Sequence, residues 1–200
     1  MMLADLARHA LQHAALAASA LALALLAGIP LGIGAATIAP LRSPALALAG
    51  IGRTLPSLAV LTLLLPFLGV GAAPAVVALA LLATPPVVIG VDLGIRGVPR
   101  AALDAAAGMG MTRAQAFARV IVPLAMPVAF AGVRTAATET IASATLATFV
   151  GGGGLGDEIV RGLQTGDATT LLAGALAVAA LALGVELVLG RVGRRIEAAA

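Results

Sequence analysis

Charge falls in widely separated clusters along this chain, and the uncharged runs between them predict its elements. From Ala14 to Leu41 no charged residue occurs for 28 positions. As a helix rising ~1.5 Å per residue, that run exceeds the ~30 Å hydrocarbon core of a bilayer. It predicts a first transmembrane helix, too long and too late for a signal-peptide core, with Gly28-Ile29-Pro30 as a potential kink. Thr54 to Val91 is uncharged for 38 residues, roughly 57 Å as one helix, so the run must fold back. The break falls at "GVGAAP", Gly69 to Pro74, where two glycines and a proline end one helix and begin the next. A second span then ends near Leu68, and a third runs from about Pro74 to Val91.

Residues 92–120 contain Asp92, Arg96, Arg100, Asp104, Arg113 and Arg119 and read as an aqueous loop. A fourth span is expected from Ile121 to Val150 and a fifth from Ala168 to Gly190, with Glu186 near enough to its end to reach the interface. The whole chain, 1–200, reads as one all-α membrane domain of five transmembrane helices.

Composition agrees. Hydrophobic residues make up 61% of the chain and charged residues 10%, with a mean hydropathy of +1.11; a soluble domain carries about 25% charged residues. Lipid is the expected main solvent. All 12 basic residues are arginine, and Cys, Trp and Tyr are absent. Walker A motifs, Schiff bases, disulfides and thiolate metal sites are therefore excluded. Five spans distribute Arg42, Arg53, Arg96, Arg100, Arg113, Arg119, Arg191, Arg194 and Arg195 to one face, and Arg8 and Arg161 to the other. That asymmetry predicts an N-terminus outside and a C-terminus in the cytoplasm, and it explains the basic pI without nucleic acid.

"GGGGLG" satisfies G-x-G-x-x-G at Gly151, Gly153 and Gly156. It follows a membrane helix instead of a strand, no βαβ unit succeeds it, and Asp167 comes too early to hold a ribose. The dinucleotide reading is a coincidence of spacing. Gly151, Gly153, Gly154 and Gly156 are instead expected to form a tight outer turn with several positive φ angles, leading into a short helix.

The stretch "VPRAALDAAAGMGMTRAQAFARVIVPLAMP" (98–127) predicts a short helix, a glycine joint and a second amphipathic helix. Pro99 suits the first turn, Ala101 to Ala107 favour helix, and Gly108 and Gly110 stop it. In the second piece Met111, Phe117 and Val120 alternate with Arg113, Gln115 and Arg119, and Pro123 marks entry to the fourth span. On periodicity alone, the short helix fits a lever toward a partner or an interfacial loop closure equally well.

Asp104-Ala105-Ala106, three residues, Gly110, nine residues, then Val120-x-Val122-Pro123 resembles the E-A-A-x3-G-x9-I-x-L-P motif of membrane subunits of ABC importers. Asp replaces Glu, and two valines replace Ile and Leu. Four further stretches, "GRTLPSLAVLTLLLPFLGVGAAPAVVALAL", "AAGMGMTRAQAF", "PLAMPVAFAGVRTA" and "ATLATFVGGGGLG", resemble permeases for glycine betaine, carnitine and choline over roughly residues 50–165. The resemblance implies a type I importer permease whose loop 92–120 docks as a coupling helix on an ATP-binding cassette subunit. Asp104, Ala105, Ala106, Gly108, Gly110, Val120 and Pro123 would form or support that contact. It also implies a second permease copy or paralogue and an extracytoplasmic solute-binding protein. ATP and Mg²⁺ would sit on the partner, leaving this chain without a cofactor or catalytic residue, in a prokaryotic plasma membrane.

Arg134 and Glu139 fall mid-span, where an ionisable group costs at least ~2.5 kcal/mol and is a functional candidate by default. Five residues apart, they lie about 140° apart on the helix and each needs a partner elsewhere. Thr138 and Thr145 fall within about 40° of Arg134, giving a polar stripe. The stripe reads either as lining for a translocation path or as structure, with Arg134 snorkelling and the threonines bonded to their own backbone. Without Trp or Tyr the chain has poor material for an aromatic cage around a quaternary ammonium, so tight selection is expected on the binding protein. His9 and His13 share i, i+4 spacing but have no third ligand in sequence reach. They read better as part of a surface-lying amphipathic start with Leu3, Leu6, Ala10 and Leu11 toward lipid.

Two other classes remain open on sequence: an ion-gradient-driven secondary transporter, for which no internal repeat is visible, and a membrane scaffold. Among importers, a permease for methionine or another small solute shares the loop motif.

Overall fold

The computed structural model describes residues 2–199, with side chains placed for 4–198. It is helical almost throughout, with no strand among the described residues. The helices are α1 (Met2–Thr37), α2 (Ala39–Thr54), α3 (Ser57–Leu63), α4 (Leu65–Leu68), α5 (Ala72–Arg96), α6 (Arg100–Gly108), α7 (Arg113–Ala116), α8 (Val122–Ser143), α9 (Leu155–Thr165) and α10 (Ala168–Ala199). A π-helical turn, Phe117–Ile121, joins α7 to α8, and a 3-10 stretch, Ala144–Val150, extends α8.

Four segments are long and apolar enough to cross a bilayer: Ala4–Thr37, Ala72–Arg96, Arg113–Val150 and Ala168–Ala198. The expected second span is not a single helix. It is a pair, Ala39–Thr54 and Ser57–Leu68, bent by 99°. Pro56 explains the break: it pushes Leu55 into extended backbone (φ −71°, ψ 130°), which ends α2. The pair still runs the length of the bundle, from Arg42 beside Asp92 to Val70 against Gly151.

α5 is the central helix, with α1 and α8 packed along it. Its core is made of small side chains, including Ala75, Ala78, Ala83, Ala136, Ala144 and Ala147. Between lipid-soluble helices no hydrophobic force selects the partner, so close backbone approach and van der Waals contact must do so. One such close crossing is Gly90 on α5 against Gly132 on α8, where a Cβ on Gly90 would lie 2.8 Å from Gly132 Cα. Only glycine at both positions permits that crossing.

Several boundaries differ from the sequence reading. α1 starts at Met2 and is continuous with the first span, so residues 4–13 are not a separate surface helix. His13 is fully buried and Leu11 exposed; Leu3 lies outside the described side chains. α5 continues through Asp92 to Arg96, which shortens the polar connection to residues 97–112. Asp92 is not in an aqueous loop at all: it is 1% exposed, facing Arg42 Nε at 3.6 Å. A helix still hydrogen-bonded by its own backbone has no reason to stop at its first charged residue when that charge finds a counter-ion.

Candidate functional site

The connection 97–112 builds one candidate site. Gly97 ends α5, and extended backbone at Pro99 (φ −59°, ψ 134°) starts α6. Beyond α6, Gly110 takes φ +74°, a left-handed turn with open space around it. Thr112 then opens α7 with a reciprocal capping box: its hydroxyl accepts from Gln115 N–H while Gln115 Oε1 accepts from Thr112 N–H. Ala106 is fully buried and anchors α6 to the bundle. Ala101, Asp104, Ala105 and Gly108 are exposed and, at i, i+3, i+4 and i+7, share one face. α6 therefore offers a nearly flat surface with one carboxylate, and Met109 beside it is 68% exposed.

Val120 lies in the π-helical turn packed beside α6, and Pro123 in the first turn of α8. Pro123 has no N–H to give Arg119 O, and the helix widens there, with Val122 N–H donating to Phe117 O five residues back. Arg113 to Val150 consequently forms one continuous helical segment joining the α6 connection to the opposite end of the bundle. The fourth span does not begin afresh at Ile121.

At that opposite end the glycine run turns sharply. Gly151, Gly153 and Gly154 have φ of +75°, +76° and +96°, and α9 follows at Leu155. Gly71 N–H donates to Val150 O at 2.8 Å, tying the turn to the start of α5. Gly156 packs against the backbone of Thr145 with no room for a side chain. α1 joins here too: Gln12 Nε2 donates to Gly152 O at 3.2 Å, His13 Nε2 lies 2.9 Å from Ile141 O, and His9 Nδ1 lies 2.6 Å from Glu158 Oε1. The acidic partner of His9 is Glu158, 149 residues away in sequence. No cluster of three metal-ligating side chains occurs among the described residues.

Of the mid-span polar residues, Arg134 and Thr138 line one groove, together with Thr135 and Glu186, and Thr145 and Glu139 do not. Arg134 pairs with Glu186 on α10, its Nε donating to Glu186 Oε1 at 2.9 Å and its Nη2 to the same oxygen. Glu186 is thus the partner of Arg134 across the groove between α8 and α10, and both side chains stay partly exposed. Thr138 donates to its own helix backbone at Thr135 O and Arg134 O, as the structural reading of the stripe requires. Thr145 donates to Ala142 O and lies beyond Ser143, where 3-10 geometry replaces the 100° step on which the predicted alignment rested. Glu139 stands apart from all three. It lines a cleft of about 260 Å³ with Arg53, Ser57, Thr140 and Ser143. Sequence reasoning missed Arg53 there; its only signal was a lone charge beside a proline-broken span.

The fold has counterparts among solved ABC transporters. A chain of the inward-facing MetNI methionine ABC transporter superposes with a TM-score of 0.86 at 22% identity, covering 98% of this chain and 97% of that one. A second, from an amino acid ABC transporter, gives 0.80 at 21% identity over 95% and 93%. The chain belongs to the binding-protein-dependent transport system inner membrane component family, whose sequence pattern matches residues 28–198. It is 38% identical over 185 residues to the carnitine transport permease protein OpuCB of Listeria monocytogenes, covering 92% of this chain and 85% of that one. It is 38% identical over 188 residues to the choline transport system permease protein OpuBB of Bacillus subtilis, covering 94% and 87%.

Proposed function

We propose that this chain is the membrane-spanning subunit of an ATP-driven importer for quaternary-ammonium osmoprotectants, the class containing glycine betaine, carnitine and choline. The observation that carries the reading is the exposed face of α6, Ala101, Asp104, Ala105 and Gly108, held rigidly by buried Ala106 between two bundle helices. Such a face suits a groove on an ATP-binding cassette subunit: alanines permit close approach, and Asp104 can pair with an arginine of the partner. ATP and its Mg²⁺ bind on that partner. Force applied to α6 passes into α5 and α8, the helices locked at Gly90 and Gly132.

The solute class is supported by the relatives named for carnitine and choline at 36–38% identity. The methionine transporter shares the fold at 22% identity, which speaks to architecture alone. In this reading the bent pair α2–α4 makes the fifth crossing, the N-terminus lies outside and the C-terminus inside, in the plasma membrane of a prokaryote. A second permease copy or paralogue completes the pathway, and an extracytoplasmic binding protein delivers the solute. An ion-gradient mechanism leaves the face of α6 without a role.

Uptake of labelled glycine betaine, choline and carnitine into proteoliposomes holding the assembled complex tests the proposal. ATP-dependent uptake of at least one of them is expected. Uptake by the purified chain without an ATPase subunit, or ATP-driven uptake of methionine with none of the three, would overturn it.

A further inference from the structure

We infer that the cleft lined by Arg53, Ser57, Glu139, Thr140 and Ser143 is a transit site for a small zwitterion, with Arg53 receiving its carboxylate and Glu139 its cationic end. The inference rests on the osmoprotectant reading and deepens it by assigning the two ends of the solute to two residues.

Four observations converge. The cleft, about 260 Å³, lies where α2 breaks into α3 against α5 and α8. Irregular backbone at membrane depth is tolerated where it is covered by protein or borders water, and broken helices are recurrent places for solute sites. Its lining contains opposite charges on separate elements, Arg53 at the end of α2 and Glu139 on α8. Among the described residues neither makes an ion pair, whereas Arg134 is satisfied by Glu186 and Asp92 faces Arg42. Both side chains are exposed and line the cleft, and an ionised group within a span is costly unless water or a ligand meets it.

The chemistry of the lining also distinguishes which ligand fits. No aromatic residue borders the cleft, so a quaternary ammonium cannot be held there by a cage and must rely on a carboxylate. A guanidinium matches a carboxylate with two parallel N–H donors. Ser57 and Ser143 add hydroxyls, while Thr140 Oγ1 donates to Ala136 O at 2.6 Å. Leu79 and Ala83 give an apolar floor against which methyl groups can rest. The groove beside Arg134 lacks this character because its two charges already neutralise each other.

The test uses the assembled complex in proteoliposomes and reads the ratio of glycine betaine uptake to choline uptake within one preparation. Choline has the cationic end without the carboxylate. Misfolding or poor assembly lowers both rates together and leaves the ratio unchanged. Arg53→Gln is expected to lower the ratio roughly tenfold or more, as loss of a charge-assisted hydrogen bond implies. Arg53→Lys is expected to fall between wild type and Arg53→Gln. Glu139→Gln is expected to lower both uptake rates at an unchanged ratio, with assembled complex recovered at wild-type yield by size exclusion. An unchanged ratio in Arg53→Gln, or wild-type uptake of both solutes in Glu139→Gln, would overturn the assignment while leaving the importer reading intact. A wild-type complex that moves none of glycine betaine, choline and carnitine would instead overturn the osmoprotectant reading, and the assignment with it.

Discussion

Arg134 on α8 and Glu186 on α10 form an ion pair across 52 residues of sequence, with Arg134 Nε 2.9 Å from Glu186 Oε1. The pair spans the groove between α8 and α10, with both side chains partly exposed, and links the last helix to the bundle. Arg134→Gln and Glu186→Gln should each lower the thermal stability of the detergent-solubilised chain. The double variant Arg134→Gln with Glu186→Gln should lose less than the sum of the two single losses. A double loss equal to that sum, measured by thermal unfolding of all four proteins, would mean the residues are not coupled.

The α5–α8 crossing depends on Gly90 and Gly132. Gly90→Ala places a methyl 2.8 Å from Gly132 Cα, and no flexible side chain is there to yield. Separation of the helices should cost about 1–3 kcal/mol. Gly184→Ala on α10 is the control, since nothing lies within 4 Å of its Cβ position. It should be neutral or slightly stabilising, because alanine restricts the unfolded chain more than glycine does.

The turn at Gly154 requires backbone open to glycine alone, φ +96° with ψ −166°. Gly154→Ala should therefore destabilise the chain by about 1–3 kcal/mol, compounded by contact with His13 at 3.2 Å. Proteolysis between α8 and α9 should quicken in this variant relative to wild type.

Asp167 precedes α10 and caps it: Oδ1 accepts from Thr169 N–H at 2.9 Å and Thr170 N–H at 3.3 Å, and Oδ2 from the Thr170 hydroxyl at 2.6 Å. The Thr170 hydroxyl first, then the two backbone amides, hold its carboxyl below the ordinary value of 3.8. A carboxylate whose folded pKa is lowered stabilises the fold fully above the unfolded value, and that contribution disappears as pH falls through the folded value. Acidification from pH 5 through the region below 3.8 should thus weaken wild type more than Asp167→Asn, which still caps but does not titrate. Parallel stability–pH curves for the two would contradict the capping assignment.

Much of the helix order was readable because lipid imposes one rule, long uncharged runs, and the chain obeys it. The breaks at Gly69–Gly71 and Gly151–Gly154 were equally plain, since positive φ at each is met by glycine. What escaped were relationships that depend on distance across the fold. Asp92 looked like the first residue of a loop and is buried against Arg42; Glu186 looked interfacial and is bound to Arg134. Single-sequence periodicity contains no term for a counter-ion 50 residues away. The Arg134, Thr138 and Thr145 alignment failed for a local reason, since helical pitch changes after Ser143. From sequence Arg53 reads only as an orientation charge, because nothing in its neighbours shows that the 99° bend faces Glu139.

The absence of native cysteine makes Ala105→Cys a single-thiol reporter on the exposed face of α6. In intact cells and in inverted vesicles, a membrane-impermeant maleimide should modify it only in the vesicles, and the bound ATPase subunit should protect it. Modification from outside intact cells, or reactivity unaffected by the ATPase subunit, would contradict a coupling role for α6.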